Sequence, residues 1–141
     1  MRTLRNTLLC TAAFLLLAAC ANMKSTKAPG ADLTPLKTFY VQRLPADQRG
    51  IERLISERLN ALGYRSTFGL DPKPAADVDA LVTYQDRWMW DITMYMLQLD
   101  VQVRDPNTSM VLASAQSYRP SLQRTTPAGM VEEVLDEIFK Q

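Results

Sequence analysis

Apolar residues follow three patterns along this chain, and each pattern predicts a different element. The first is a block: residues 8–17 are apolar apart from Thr11, and Ala18 and Ala19 continue it. The second is helical spacing. Ile51, Leu54, Ile55, Leu59 and Leu62 recur at intervals of three and four, which puts them on one face of a helix. Glu52, Arg53, Glu57 and Arg58 lie mostly off that face, Asp47 is placed to cap its start, and Gly63 to end it. Near the C-terminus Met130, Val134 and Ile138 run beside Val131, Leu135 and Phe139. Thr126 before Pro127 opens this second helix, and Glu132, Glu133, Asp136 and Glu137 are read as its solvated side.

The third pattern is alternation. Residues 38–44 are rich in β-branched and aromatic side chains and predict a first strand, stopped by Pro45. From Ala80, Val82, Tyr84, Trp88 and Trp90 share one side, with Asp86 interrupting, while Leu81, Thr83, Gln85, Arg87 and Met89 share the other. The next strand sets Tyr95, Leu97, Leu99, Val101 and Val103 against Met94, Met96, Gln98, Asp100, Gln102 and Arg104. A hairpin closed over residues 91–94 would face Trp90 with Tyr95, Trp88 with Leu97, Tyr84 with Val101 and Val82 with Val103, apolar against apolar. After a turn at Asp105-Pro106-Asn107, residues 110–118 predict a fourth strand, whose Ala113 and Ala115 leave room for a helix. The expectation is an α+β domain over residues 37–141. It is a two-layer sandwich of order β-α-β-β-β-α, with a four-stranded, mainly antiparallel sheet and both helices on one face.

The N-terminal block has its own logic. Arg2 and Arg5 precede it with no acidic residue nearby, which is the pattern of a secretory signal peptide. It is shorter than the roughly 20 apolar residues that cross a bilayer. Its end, Leu17-Ala18-Ala19-Cys20, resembles the bacterial lipobox, in which the cysteine thiol receives diacylglycerol, the leader is cut off and the new amine is acylated. An ordinary signal peptide cut after an A-x-A site is the alternative; position, spacing and flanks favour the lipobox. The resemblance implies a leader over residues 1–19 and lipidation at Cys20. Ala21, rather than Asp, follows the cysteine, which by similarity to Gram-negative lipoproteins implies transfer to the outer membrane. Residues 20–36, rich in Lys, Ser, Thr, Pro and Gly, read as a flexible tether between lipid and domain.

Composition then excludes chemistry. There is no histidine, and Cys10 leaves with the leader, so no thiolate–imidazole metal site can form and no imidazole base is available. With Cys20 lipidated, no intrachain disulfide remains. Losing Arg2 and Arg5 takes the 16 basic residues to 14 against 15 acidic, a net charge of −1, which offers no field for nucleic acid. No G-x-S-x-G, S-x-x-K or phosphate-cradling glycine loop is present, so no catalytic residue, cofactor or metal is expected. Asp77 and Asp79, two apart, are read as a solvated loop rather than a cation site, and Glu132–Glu133 as solubilising.

The element order, the Trp88-Met89-Trp90-Asp91 stretch and the D-P-N turn are similar to a group of small uncharacterised Gram-negative outer-membrane lipoproteins. In order of elements the chain also resembles the lipopolysaccharide-assembly lipoprotein that supports a β-barrel, and in general plan the lipoproteins that activate cell-wall synthases. With no catalytic motif and an open hairpin face, the expected function is a non-catalytic accessory or scaffold subunit of an envelope assembly, lipid-anchored at the outer membrane, facing the periplasm and meeting an envelope protein partner. Arg87, Met89, Met94, Met96 and Gln98, on the hairpin's second face, are the expected partner surface, unless a loop or the tether covers them. Trp88 and Trp90 are expected in the core beneath the helices. The alternative function is a carrier of lipid, glycan or a small hydrophobe between sheet and helices, which requires an internal cavity.

Overall fold

Both helices do pack on one face of a sheet, but the sheet has six strands. The computed structural model describes residues 21–74 and 77–140. Strands β1 (Asn22–Lys27), β2 (Thr38–Gln42), β3 (Arg65–Gly69), β4 (Ala80–Asp91), β5 (Thr93–Arg104) and β6 (Val111–Tyr118) lie in the order β1-β6-β5-β4-β2-β3. Helix α1 (Ile51–Ala61) joins β2 to β3, and α2 (Pro127–Phe139) ends the described chain. The α+β class stands. The four-stranded sheet is corrected to a mixed six-stranded one: β1, β6, β5 and β4 pair antiparallel, while β2 runs parallel to both β4 and β3.

The two unanticipated strands are edge strands, held by backbone ladders rather than by apolar side chains. β3 carries one large hydrophobe, Phe68, and pairs with β2 from Thr38↔Arg65 to Gln42↔Gly69. β1 lies within the residues read as tether. Asn22↔Tyr118 through Lys27↔Ala113 tie it to β6, and its two lysines mark it as a protected edge. Side chains reinforce the ladder: Ser25 Oγ donates to Glu137 Oε1 at 3.0 Å, and Thr26 and Ser114 hydroxyls meet at 2.8 Å. Leu33 then enters the core, so the flexible-tether reading is corrected for these residues.

The core fills the space between sheet and helices. Phe39, Val41, Val82, Leu99, Val101 and Val103 from the sheet meet Ile51, Ile55 and Leu59 of α1 and Met130, Val134, Leu135 and Ile138 of α2, all fully buried. Each such side chain contributes about 1.5–3 kcal/mol of transfer free energy. Ala113 and Ala115 are buried on β6, where α2 crosses. Phe39, Tyr64 and Phe139 close one end with ring centroids 4.9–5.6 Å apart. Gly63, at φ 93°, ends α1 in a conformation that other residues resist. Thr126 Oγ1 accepts from Gly129 N at 3.1 Å and, with Pro127 at the first turn, starts α2.

Not all of the acidic side of α2 is free. Asp136 pairs with Arg58 of α1 at 2.5 Å, and Glu133 takes Arg119 and the Ser117 hydroxyl. These half-buried contacts fix α2 against α1 and β6. Among the described residues no helix is long and apolar enough to cross a membrane.

Candidate functional site

The hairpin of β4 and β5 outgrows its neighbours. β2 pairs with β4 only as far as Val82 and β6 ends opposite Gln98, and the end of the hairpin, residues 89–94, is exposed. The pairing from Val82↔Val103 to Arg87↔Gln98 is the one predicted from the apolar match. Beyond it the register shifts by one, because β5 accommodates Leu97 as an extra residue. Trp88 then faces Met96, Met89 faces Tyr95, and Trp90 faces Met94, with Ile92 at the apex at φ 62°. The expected Trp90–Tyr95 and Trp88–Leu97 pairs and the turn over residues 91–94 are corrected accordingly. A β-branched residue at positive φ is uncommon, and here it closes the tight end of the ribbon.

A one-residue shift sends every later side chain to the opposite face. The expected partner surface is therefore split. Arg87 and Gln98 remain on the open face, where Arg87 Nη2 donates to Gln98 Oε1 at 2.8 Å and Gln98 Nε2 to Asp100 Oδ2 at 2.7 Å. Met89 is exposed beside them. Met94 is exposed on the other face, opposite Trp90. Met96 is only 1% exposed and belongs to the core, so it is removed from the set. The two tryptophans also part. Trp88 packs half-buried on the core, with the Arg49 guanidinium 4.1 Å from its ring centroid and its Nε1 donating to Asp86 Oδ2 at 2.6 Å. Trp90 is 68% exposed, contrary to the core assignment.

What projects is an apolar tip made of Met89, Trp90, Ile92 and Met94, with Ile92 at 85% exposure. Leu122, 89% exposed, lies on the adjoining turn, Ser121–Gln123, which is fastened to the hairpin. The Ser121 hydroxyl bonds the Asp91 carboxylate, Arg124 Nη1 donates to Thr93 Oγ1 at 2.8 Å, and the Arg124 guanidinium lies 5.0 Å from the Tyr95 ring centroid. The sequence carried a signal of the shift. Met94-Tyr95-Met96-Leu97 is an unbroken apolar run, which strict alternation cannot place on one face.

The rest of the open face is polar. Arg104 Nε donates to Thr83 Oγ1 at 3.1 Å and its Nη2 reaches Gln102, beside Gln85, Asp100, Ser114 and Gln116. This is a ladder of solvated pairs, not the methionine surface expected from alternation.

One buried polar cluster lies on the helix side. Asp47, Glu52 and Tyr84 are all nearly inaccessible. Asp47 Oδ1 accepts from Arg49 N at 2.6 Å and Gly50 N at 3.1 Å; its Oδ2 accepts from Ile51 N at 2.8 Å and the Tyr84 hydroxyl at 2.7 Å. Leu44 N donates to the Tyr84 oxygen at 3.1 Å, and Arg43 Nε lies 3.6 Å from Glu52 Oε1. Burial alone would raise the Asp47 pKa, but bonds from Tyr84, Arg49, Glu52 and Ile51 outweigh it and hold the carboxyl at about 2. Burial, then the neighbouring Asp47, pushes Glu52 up; the same two causes raise Tyr84. The cluster caps α1 and welds it to β4. Both oxygens of Asp47 are taken by these bonds, whereas Arg43 Nε is buried with only the 3.6 Å ion pair to Glu52.

Surface depressions of 210 to 400 Å³ are lined by polar sheet residues such as Asp100 and Gln102, by Lys73, Pro74, Asp77 and Val78, and, at their margins, by the core residues Tyr84 and Phe39. Asp79 Oδ2 is taken by the backbone N–H groups of Lys37 and Thr38 at 2.8 and 2.9 Å, which explains its place without a cation. No group of acidic residues among those described could hold a metal ion. The leader expected over residues 1–19 and the lipidation expected at Cys20 lie outside the described residues.

Neither a protein-family model nor a curated protein matches the chain. Solved structures do match in fold. A PelC dodecamer from Paraburkholderia phytofirmans is similar with a TM-score of 0.56 at 14% identity, over 84% of this chain and 94% of that one. A single-substitution form of that dodecamer gives 0.58 at 13% identity over the same shares. A PDZ domain protein from Parabacteroides distasonis matches at 0.53 and 12% identity, over 84% of this chain but 34% of its own length. At such identities the likeness defines an α+β fold shared with these proteins and nothing finer.

Proposed function

We propose that this chain is a lipid-anchored lipoprotein of the bacterial outer membrane, facing the periplasm and serving as a non-catalytic accessory subunit of an envelope assembly. The observation that carries this is the junction between leader and domain. The lipobox-like Leu17-Ala18-Ala19-Cys20 is followed directly by Ala21, and Asn22 is already paired in the sheet. A folded domain thus begins two residues from the acylated cysteine, which seats it against the membrane. Several acyl chains on one residue hold far more firmly than one. The accessory role draws support from the exposed apolar tip. The fold-mates PelC were solved as dodecamers, which supports an assembling subunit.

The test is metabolic labelling of cells with an alkyne palmitate. The full chain should be labelled and sediment with outer membrane, whereas Cys20→Ser should lose the label and be released. Label retained by Cys20→Ser would refute the anchor. Native mass spectrometry of the detergent-extracted protein should show an assembly larger than the monomer; a monomer alone in gentle detergent would count against the subunit role.

A further inference from the structure

We infer that the β4–β5 tip is a second membrane contact, inserting Trp90, Ile92 and Leu122 into the same bilayer that receives the lipid on Cys20. This rests on the lipid-anchor reading and adds an orientation to it. The first support is position. Ala21 N, one residue beyond the acylated cysteine, donates to Gln123 Oε1 at 2.6 Å. Gln123 belongs to the short turn that carries Leu122, and that turn's Ser121 bonds Asp91 beside the apex. The point where the lipid joins and the apolar tip therefore share one end of the sheet.

The second support is shape. Trp90 and Met94 face one side of the ribbon, Met89 the other, and Ile92 stands at the end. Exposed apolar side chains therefore point to both sides of the tip and off its end. A lipid phase surrounds both. The third support is chemistry: a tryptophan beside aliphatic side chains, backed by the guanidinium groups of Arg87 and Arg124, is the combination that suits the headgroup boundary. Lipid on Cys20 would tether the domain and the tip would fix its tilt, so that the polar sheet face is held at a set angle to the membrane.

The experiment uses the full lipidated protein in vesicles of phosphatidylethanolamine, phosphatidylglycerol and dibrominated phosphatidylcholine, in which bromine quenches nearby indoles. The chain has two tryptophans, so Trp88→Phe leaves Trp90 as the sole reporter and Trp90→Phe leaves Trp88 as the control. Trp90 should lose at least half of its emission relative to unbrominated vesicles, and Trp88 much less. In Ile92→Asp/Leu122→Asp, which alters only exposed positions, flotation should persist while Trp90 quenching falls at least twofold. Flotation with an unquenched, solvent-like Trp90 would overturn insertion and leave the anchor standing. A blue-shifted but unquenched Trp90 would overturn it in favour of a second copy or protein on the tip. Failure to float would overturn the anchor itself and the insertion with it.

Discussion

Replacing Met96 with glutamate is expected to cost about 4 kcal/mol, whereas Met89→Glu should stay within about 0.5 kcal/mol of the native domain. An unshifted hairpin would put both methionines on the open face; the extra residue on β5 separates them. Met96 faces Trp88 in the core, so a carboxylate there has no partner and no water. A loss of that size is a large part of the roughly 5–15 kcal/mol that holds a domain together. Met89 is exposed, so a charge there meets solvent. Thermal melts followed by circular dichroism separate the outcomes. Equal, small effects of the two substitutions would mean that the register runs without a shift and that Met96 lies on the open face.

Asp47→Ala is expected to cost about 3 kcal/mol, or roughly 10 °C in melting temperature, because three backbone N–H groups and the Tyr84 hydroxyl lose their acceptor at once. Asp47→Asn keeps an oxygen for part of this set and should cost less. The native domain should also lose stability in acid. Asp47 titrates at about 2 when folded, against an ordinary 3.8, so its contribution is complete above about pH 4 and disappears as pH falls towards 2. The displacement corresponds to about 2 kcal/mol. Glu52 acts in the opposite sense: its pKa is raised, so its contribution is present below its ordinary 4.5 and is lost as pH rises through the higher folded value. Urea melts from about pH 2 to 6 should show the acid loss flattened in Asp47→Ala. An unaltered profile would place the acid sensitivity elsewhere.

Much of the fold was legible because burial leaves a periodic trace. The face of Ile51, Ile55 and Leu59 and that of Met130, Val134 and Ile138 marked both helices, and Gly63, Thr126 and Pro127 marked their ends. The hairpin register was readable wherever one face met the core, from Val82↔Val103 to Tyr84↔Val101. Edge strands leave no such trace. β1 and β3 bury little, and their partners are backbone groups, which every residue but proline carries in the same form. Glu52 illustrates a second limit. Spacing set it beside the apolar face, but whether a carboxylate is buried depends on Asp47, Tyr84 and Arg43 arriving from elsewhere in the chain.

By itself the sequence determined the absence of histidine chemistry, the α+β class and the faces of the two helices. Those follow from local composition and from the 3.6- and two-residue periods. Tertiary structure alone decided where Met96, Trp90 and Ile92 go, since one extra residue on β5 reverses every side chain beyond it, and only the paired strand defines which residue is extra. It also decided that Ala21 and the apolar tip occupy the same end of the sheet. These two segments are distant in sequence, and no local pattern records that β6 and the turn after it bring them together.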